Sequence, residues 1–328
     1  MTQKAVQKVV LCGAGFLGPN IATTISKSNA NSNVLRRVQV SSRRPERIHS
    51  SLETKMPRDH LLPPVPVDIT KAETIAPAFE GADTVVSMVG ILNGTPEQFE
   101  AIQWRGAENV AKAAKQIGAK VIHISAIGAD KNSGIPYERT KALGEEAVFT
   151  HSPDATIIRP SILFGPGDEF FGRFAKLAQF LPFLPVFGDG QTRFQPLYVG
   201  DIARLIEIIT RNEPKIREQL DGKIIEAGGP EVFTYRQIMD LVVKYSGRNR
   251  PIVPIPWALG KLQGAILEKL PPTIFTISQS QVEQLKKDNV VSSKPSPNQV
   301  PFAQFMEEYS SPLTSVHEIL PQYLGRSK

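Results

Sequence analysis

Short apolar runs alternate with segments of helical spacing through the first half of the chain. The run "KVVLC" (8–12) has the length of a buried strand and leads straight into glycines. In "FLGPNIATTISKS" the apolar residues Phe16, Ile21 and Ile25 recur at helical intervals. The polar loop "SNANSN" (28–33) separates it from "RRVQVSS" (36–42), which alternates as a strand does. Further strands are expected at "PVPVDI" (64–69), "DTVVSMVG" (83–90), "KVIHISAIG" (120–128) and "DATIIRP" (154–160). Helices are expected at "KAETIAPAFEGA", at "TPEQFEAIQWRGAENVAKAAKQIGA" and from "IPYERTKALGEE" (135–146) onward. Thr95, with a proline directly after it, marks the start of the long middle helix.

This alternation predicts an α/β fold: a Rossmann-type doubly wound parallel sheet covered by helices on both faces. The expected boundaries are a dinucleotide-binding domain over 1–164 and a smaller, mostly helical C-terminal substrate or interaction lobe over 165–328. Within the second half, "VGDIARLIEIITR" reads as a helix and "GKIIEAGG" as a strand, so about 201–227 is expected to return to the main sheet. "TYRQIMDLVVKYSG" is a helix capped by Thr234, "RPIVPIP" an extended piece, and "WALGKLQGAILEKL" and "TSVHEILPQYL" further helices. The stretch "SSKPSPNQVP" (292–301) carries no periodicity that assigns it.

With 328 residues the chain is long for a single core. Hydrophobic content of 41% and charged content of 21% belong to a soluble globular protein. The net charge of +6 suits anionic ligands or an acidic surface without choosing between them. No dense basic cluster carries interleaved aromatics, so no nucleic-acid partner is expected. The single cysteine, Cys12, excludes an intramolecular disulfide, and no Cys/His spacing points to a metal. No apolar run reaches the length of about 20 residues that a membrane-spanning helix needs. Only a few residues precede the first apolar run, which leaves no room for a secretory signal or a long presequence.

"VVLCGAGFLG" places Gly13-x-Gly15-x-x-Gly18 between a strand and a helix. Those glycines allow a tight turn, a close approach of pyrophosphate, and close packing of helix on strand. The free N–H groups at the helix start then face the phosphates. The second strand ends "VSSRRPE", with Ser42 and Arg43 where an acidic residue would select NAD. An arginine there suits a 2′-phosphate, so NADP(H) is favoured and NAD(H) is the alternative. Asp68 and Ile69, ending the third strand, are candidates to border the adenine; Val89, Gly90 and Ile91, ending the fourth, are candidates to pass beside its ribose.

Ser125 ends the fifth strand, and Tyr137 and Lys141 follow on one face of the next helix. A free tyrosine titrates near 10, and a neighbouring lysine cation is expected to lower that value. Tyr137 would then act as acid or base, Lys141 would tune it and hold the nicotinamide ribose, and Ser125 would hydrogen-bond a substrate oxygen. The same pair also suits a nucleotide clamp without turnover.

With these motifs in place, the sequence resembles the short-chain dehydrogenase/reductase superfamily, in its atypical, extended branch of NAD(P)-dependent epimerase/dehydratase-like proteins. "VDIT", "HISAIGAD", "PYERTKALGEE" and "RFQPLYVGDIA" carry that likeness. "RPSILFGPGDEFFGRFAKLAQFLPFLPVFGDG" and "TSVHEILPQYL" are similar to a narrower group. That group surrounds the dehydrogenase-like accessory subunit of mitochondrial complex I and its fungal relatives in coenzyme Q biosynthesis. The resemblance implies that Gly13, Gly15, Phe16, Leu17 and Gly18 line the pyrophosphate. It implies that Ser125, Tyr137 and Lys141 form the catalytic triad, and that Pro160 and Ser161 border the nicotinamide. It further implies a mitochondrial location on the matrix side of the inner membrane, with a cytoplasmic one as the alternative because no presequence is visible. The branch usually has G-x-x-G-x-x-G, and its first glycine aligns with Cys12, whose side chain would crowd the turn unless it is buried as a small apolar residue.

The second half is rich in phenylalanine: Phe164, Phe170, Phe171, Phe174, Phe180, Phe183 and Phe187. Leu259, Leu262, Ile266 and Leu270 fall roughly on one helical face, with Lys261 and Lys269 nearby. This pattern fits lobe core, an apolar substrate pocket, or a peripheral membrane contact. The favoured function is an NADP(H)-dependent oxidoreductase acting on an apolar, quinone-like substrate. The alternative is a non-catalytic nucleotide-binding subunit of a mitochondrial membrane complex.

Overall fold

The computed structural model describes residues 4–267 and 278–326. The chain divides into two compact units, one of Met1–Pro160, Gly200–Glu226 and Lys294–Ser311, the other of Ser161–Val199, Ala227–Ser293 and Pro312–Lys328.

The first unit is built on strands β1 (Ala5–Cys12), β2 (Val34–Ser42), β3 (Val65–Pro66), β4 (Thr84–Ser87), β5 (Lys120–Ile124), β6 (Thr156–Pro160) and β7 (Ile224–Ala227). They form one seven-stranded sheet in the order β7-β6-β5-β4-β1-β2-β3. The pairings of β1 with β2 and β4, of β2 with β3, and of β5 with β4 and β6 are parallel. Strand order reverses at β1, which opens a crevice between the carboxyl ends of β1 and β4, the ligand position of such sheets. The principal helices are α1 (Gly18–Ser28), α2 (Gly106–Gln116), α3 (Pro136–His151) and α4 (Val199–Thr210).

Alternation along the strands sends side chains to both covered faces. On one face Val10, Cys12, Val85 and Val121 pack with Val110, Ala111 and Ala114 of α2 and with Ile75, Phe79 and Val148. Arg36 of β2 is fully enclosed and lies 2.7 Å from Glu207 of α4. It also donates to Ser28 Oγ at 2.8 Å and to the Glu207 carbonyl at 3.2 Å, which offsets the desolvation of both charges.

The third strand is shorter than its apolar pattern predicts. Asp68 folds the chain into a turn instead: its N–H donates to Thr74 Oγ1, and its carboxylate accepts from Thr70. The long middle helix is interrupted, because Glu100–Arg105 forms a π-helical turn between Pro96–Phe99 and α2. Thr95 caps its start in a reciprocal pair with Gln98. The segment 296–300 runs along β7, with Ile224 donating to the Asn298 carbonyl and Val300 to that of Ile224, both at 3.0 Å. It satisfies backbone groups that an edge strand leaves open.

The second unit has an aromatic core of Phe164, Phe171, Phe187, Phe194 and Tyr235, with Phe170 and Phe174 partly buried against it. Its strand pairs are Leu184–Phe187 with Ile252–Ile255, Leu163–Phe164 with Leu197–Tyr198, and Arg193–Phe194 with Phe233–Thr234. Most of the phenylalanine-rich stretch is therefore lobe core, while Phe180 is 68% exposed. Leu259 and Leu262 of the helix Trp257–Leu267 are also exposed. The side chains of Lys261 and Ile266, and residues Lys269 and Leu270, lie outside the described residues. Among the described residues no helix is long and apolar enough to cross a membrane.

Thr234 caps the helix Tyr235–Ser246 as its position predicts: it accepts from the Gln237 N–H at 3.2 Å while its own N–H donates to Gln237 Oε1 at 2.7 Å. Thr234→Ala is expected to cost about 1 kcal/mol in chemical denaturation.

Candidate functional site

β1 ends at Cys12 and the chain turns at Gly13, where φ is +87°. The Gly13 N–H donates to the Ser41 carbonyl at 2.7 Å, and the Gly15 N–H donates to the Gly13 carbonyl at 2.8 Å. The three glycines do different things. A Cβ on Gly13 would lie 2.4 Å from Val89 Cγ2 and 2.8 Å from the Val89 nitrogen. One on Gly18 would lie 2.5 Å from Ala14 Cβ. Around Gly15 nothing stands within 4 Å. Gly13 and Gly18 thus serve protein packing, and Gly15 keeps space open at the start of α1. Leu17 is the N-cap of α1 and provides no side-chain cap; Pro19 has no N–H and Asn20 and Ile21 donate to the Leu17 carbonyl, so the Gly18 N–H is the first-turn donor left to a ligand. A dinucleotide pyrophosphate fits this cradle.

Cys12 does not crowd the turn. Its side chain is fully buried in the sheet core, and burial pushes its thiol up to about 12, so it stays protonated. Phe16 is half-buried and Leu17 buried at the same turn.

At the neighbouring strand ends, Ser42 is half-buried and Arg43 exposed. Asp68 accepts from Thr70 Oγ1 at 2.7 Å; this bond, with the charges of Lys71 and Arg43, holds its carboxyl below the usual range. Ile69 is buried and fills the space above Gly106. Val89 and Ile91 are half-buried and Gly90 exposed beyond the end of β4. Pro160 ends β6, and its carbonyl accepts from the Ile127 N–H at 3.0 Å. Ser161 is buried with its hydroxyl donating to the Gln195 carbonyl.

Ser125 follows β5, tied by its N–H to the Ile158 carbonyl at 2.7 Å. Its hydroxyl is buried and has no hydrogen-bond partner. Tyr137 sits in the first turn of α3, its ring edge-on to Phe99 at 6.2 Å. Lys141, one turn later, is buried and donates from Nζ to the Ile124 carbonyl at 3.0 Å. A Cβ on Gly90 would lie 3.3 Å from that Nζ, so the ammonium borders the end of β4 as well as β5. Lys141 is thereby held between Ser125's strand and the strand end expected beside the ribose.

The Tyr137 phenol is shifted in the direction opposite to the expected one. Burial, followed by the Glu138 carboxylate, pushes the Tyr137 phenol up to about 12. The Lys141 ammonium is occupied by the Ile124 carbonyl, and burial pulls it down to about 8 against the opposing pull of Glu145. At neutral pH Tyr137 is therefore a protonated donor.

Gln103, on the π-helical turn, is a site residue that the sequence reading passes over. It is buried; its Nε2 donates to Thr140 Oγ1 at 2.9 Å and to the Tyr137 carbonyl at 3.4 Å, and its Oε1 accepts from the Ile91 N–H at 3.4 Å. It ties the tyrosine helix to the end of β4. The available signal was a glutamine on the buried face of an amphipathic helix. His123 lies beneath, with Nδ1 3.2 Å from Ser87 Oγ; burial pulls it down to about 3, so it is neutral.

Comparison with known proteins bears on family and fold. The sequence profile of the NAD dependent epimerase/dehydratase family matches residues 9–225. The mitochondrial NADH dehydrogenase (ubiquinone) 1 alpha subcomplex subunit 9 of Arabidopsis thaliana is 30% identical over 241 residues, covering 70% of this chain and 58% of that protein. Against three such subunits the matched part spans 49% to 58% of their length. A ceramide reductase of Caulobacter vibrioides is 28% identical, covering 68% of this chain and 70% of that one. The UDP-glucuronic acid 4-epimerase of Bacillus cereus, solved with UDP-glucuronic acid and NAD, superposes with a TM-score of 0.67 at 19% identity over 98% of this chain and all of that one, a likeness of fold. With the family profile spanning about two thirds of its length, the chain belongs to the NAD-dependent epimerase/dehydratase family.

Proposed function

We propose that this protein is a nicotinamide-dependent oxidoreductase that reduces a carbonyl on an apolar, quinone-like substrate in coenzyme Q biosynthesis at a mitochondrial membrane. The observation that carries the reading is the unpartnered, buried Ser125 hydroxyl on the strand beside Lys141, with a protonated Tyr137 on the same helix as that lysine. A buried hydroxyl without a partner costs free energy, which a substrate oxygen would relieve. Ser125 orients that oxygen, Tyr137 gives it a proton, and Lys141 holds the ribose. The bound nicotinamide supplies the hydride. Solvent then returns a proton to Tyr137. Arg43, exposed at the end of β2, supports NADP(H) over NAD(H).

The names of the mitochondrial relatives support a second reading, a nucleotide-binding accessory subunit of a mitochondrial membrane complex on the matrix side of the inner membrane. The two readings share the cofactor, so cofactor binding is tested first. Titration of the purified protein with NADPH and NADH, followed by bound-nicotinamide fluorescence, is expected to show tighter binding of NADPH. Arg43→Ser is expected to weaken NADPH by about tenfold and leave NADH within about twofold. Equal affinities in the unaltered protein would remove NADP(H) preference, and no binding of either would remove the oxidoreductase reading.

A further inference from the structure

One turn beyond Lys141, on the same face of α3, stands Glu145, which is 4% exposed. Arg159 of β6 grips its carboxylate with both arms: Nε donates to Oε1 at 2.8 Å and Nη2 to Oε2 at 2.6 Å. Arg159 Nη1 lies 3.5 Å from Glu226 Oε1 on β7, and that oxygen accepts from Gln299 Nε2 at 3.1 Å. Glu145, Arg159 and Glu226 thus form a chain of alternating charge from α3 to the outer strand, beginning one helical turn from Lys141. The reaction proposed above uses Lys141, to hold the ribose, and none of these three.

Beyond the Ile124 carbonyl, which Nζ already reaches, the other groups around Lys141 bring no countercharge to it. Tyr137, on its own helix, is neutral at physiological pH. His123, on β5, is neutral as well. Gln103, from the π-helical turn, carries no charge, and Gly90, beyond β4, has no side chain. Glu138 is adjacent to Tyr137 but accepts from Ser133 Oγ at 2.6 Å. The buried carboxylate one helical turn from the lysine, on its own face of α3, is Glu145. Without it, Arg159 would lose its two-armed partner and Lys141 the carboxylate one turn along its helix, and of the two cations the lysine is the one able to give up a proton.

We propose that Glu145, fixed by Arg159, is the positioning residue that keeps Lys141 cationic, and so sets the pH above which the site releases nucleotide. The link to nucleotide rests on the proposed ribose role of Lys141; the link to lysine charge does not. The direction follows from the opposing pulls. Burial lowers the ammonium to about 8 and Glu145 raises it. The charged form is complete below that value and is lost as pH rises through it. Removing the Glu145 charge moves the loss to lower pH by about one unit or more.

The test uses the full chain with isotope-labelled lysine, following the Lys141 side-chain NMR signal through a pH titration without nucleotide. Lys141→Arg assigns the signal. Glu145→Gln is expected to lower the midpoint by about one unit, and Glu145→Asp, which keeps the carboxylate, to restore most of it. Glu226→Gln leaves Arg159 less neutralised and is expected to shift the midpoint down by a smaller step. An unchanged midpoint in Glu145→Gln overturns the proposal; if that variant does not fold, an unchanged midpoint in Glu226→Gln does so. NADH affinity measured across the same pH range is expected to move with the midpoint. A protein that binds no NADH loses the ribose role, and the lysine titration still decides the charge.

Discussion

Tyr137→Phe is expected to lower turnover by about 10²–10⁴-fold, the contribution of one positioned acid, while nucleotide affinity stays within about twofold. The substitution removes one oxygen and little else. The phenylalanine ring keeps the edge contact with Phe99, and the backbone carbonyl of residue 137 still accepts from Gln103. The glycine turn and Lys141 are unchanged, so the nucleotide keeps its hold. What disappears is the proton donor, because Ser125 and Lys141 have other tasks. The measurement is steady-state reduction of quinone precursors alongside nucleotide titration. If the variant turned over at the original rate, Tyr137 would not be the acid. If it were inactive yet still assembled with a mitochondrial complex and supported respiration in cells, the accessory-subunit reading would take precedence.

The parallel sheet was legible because its central strands are buried on both sides and so show short apolar runs, such as Val9–Cys12 and Val85–Val86. The glycine turn was legible because backbone geometry there demands glycine, and sequence displays it directly. Other parts depend on contacts between distant residues, which local pattern does not carry. The stretch 292–301 has no periodicity, yet part of it pairs with β7, more than seventy residues earlier in the chain. The π-helical turn at Glu100–Arg105 has no local signature; it coincides with the close approach of Gly144, where a Cβ would lie 2.3 Å from the Gln103 carbonyl.

The chemistry divides in the same way. Residue type and spacing were enough to nominate Ser125, Tyr137 and Lys141. They misjudged the tyrosine because spacing says nothing of desolvation. The i, i+4 relation places a cation near a phenol, and burial then outweighs it. Gln103 and the pairing of Glu145 with Arg159 come from different elements meeting across the fold, and neither has a spacing that sequence could display.

Gly15→Asp and Gly13→Ala are expected to fail in opposite ways, which separates ligand binding from folding at one turn. Gly13 has φ of +87°, and a Cβ there would collide with both the side chain and the backbone of Val89. The strained backbone and the overpacking together are expected to cost about 2–5 kcal/mol, seen as a lowered denaturation midpoint. Gly15 lies outside the positive-φ glycines and meets nothing within 4 Å, so aspartate there should leave stability within about 0.5 kcal/mol. Its carboxylate would stand at the start of α1, with like charge in the place proposed for the pyrophosphate. Nucleotide affinity is expected to fall by more than about 100-fold, a loss of about 3 kcal/mol. Melting and fluorescence titration of both variants decide the matter. A Gly15→Asp protein that still bound nucleotide would place the pyrophosphate elsewhere, and a Gly13→Ala protein of unchanged stability would mean that Val89 and the end of β4 can yield without cost.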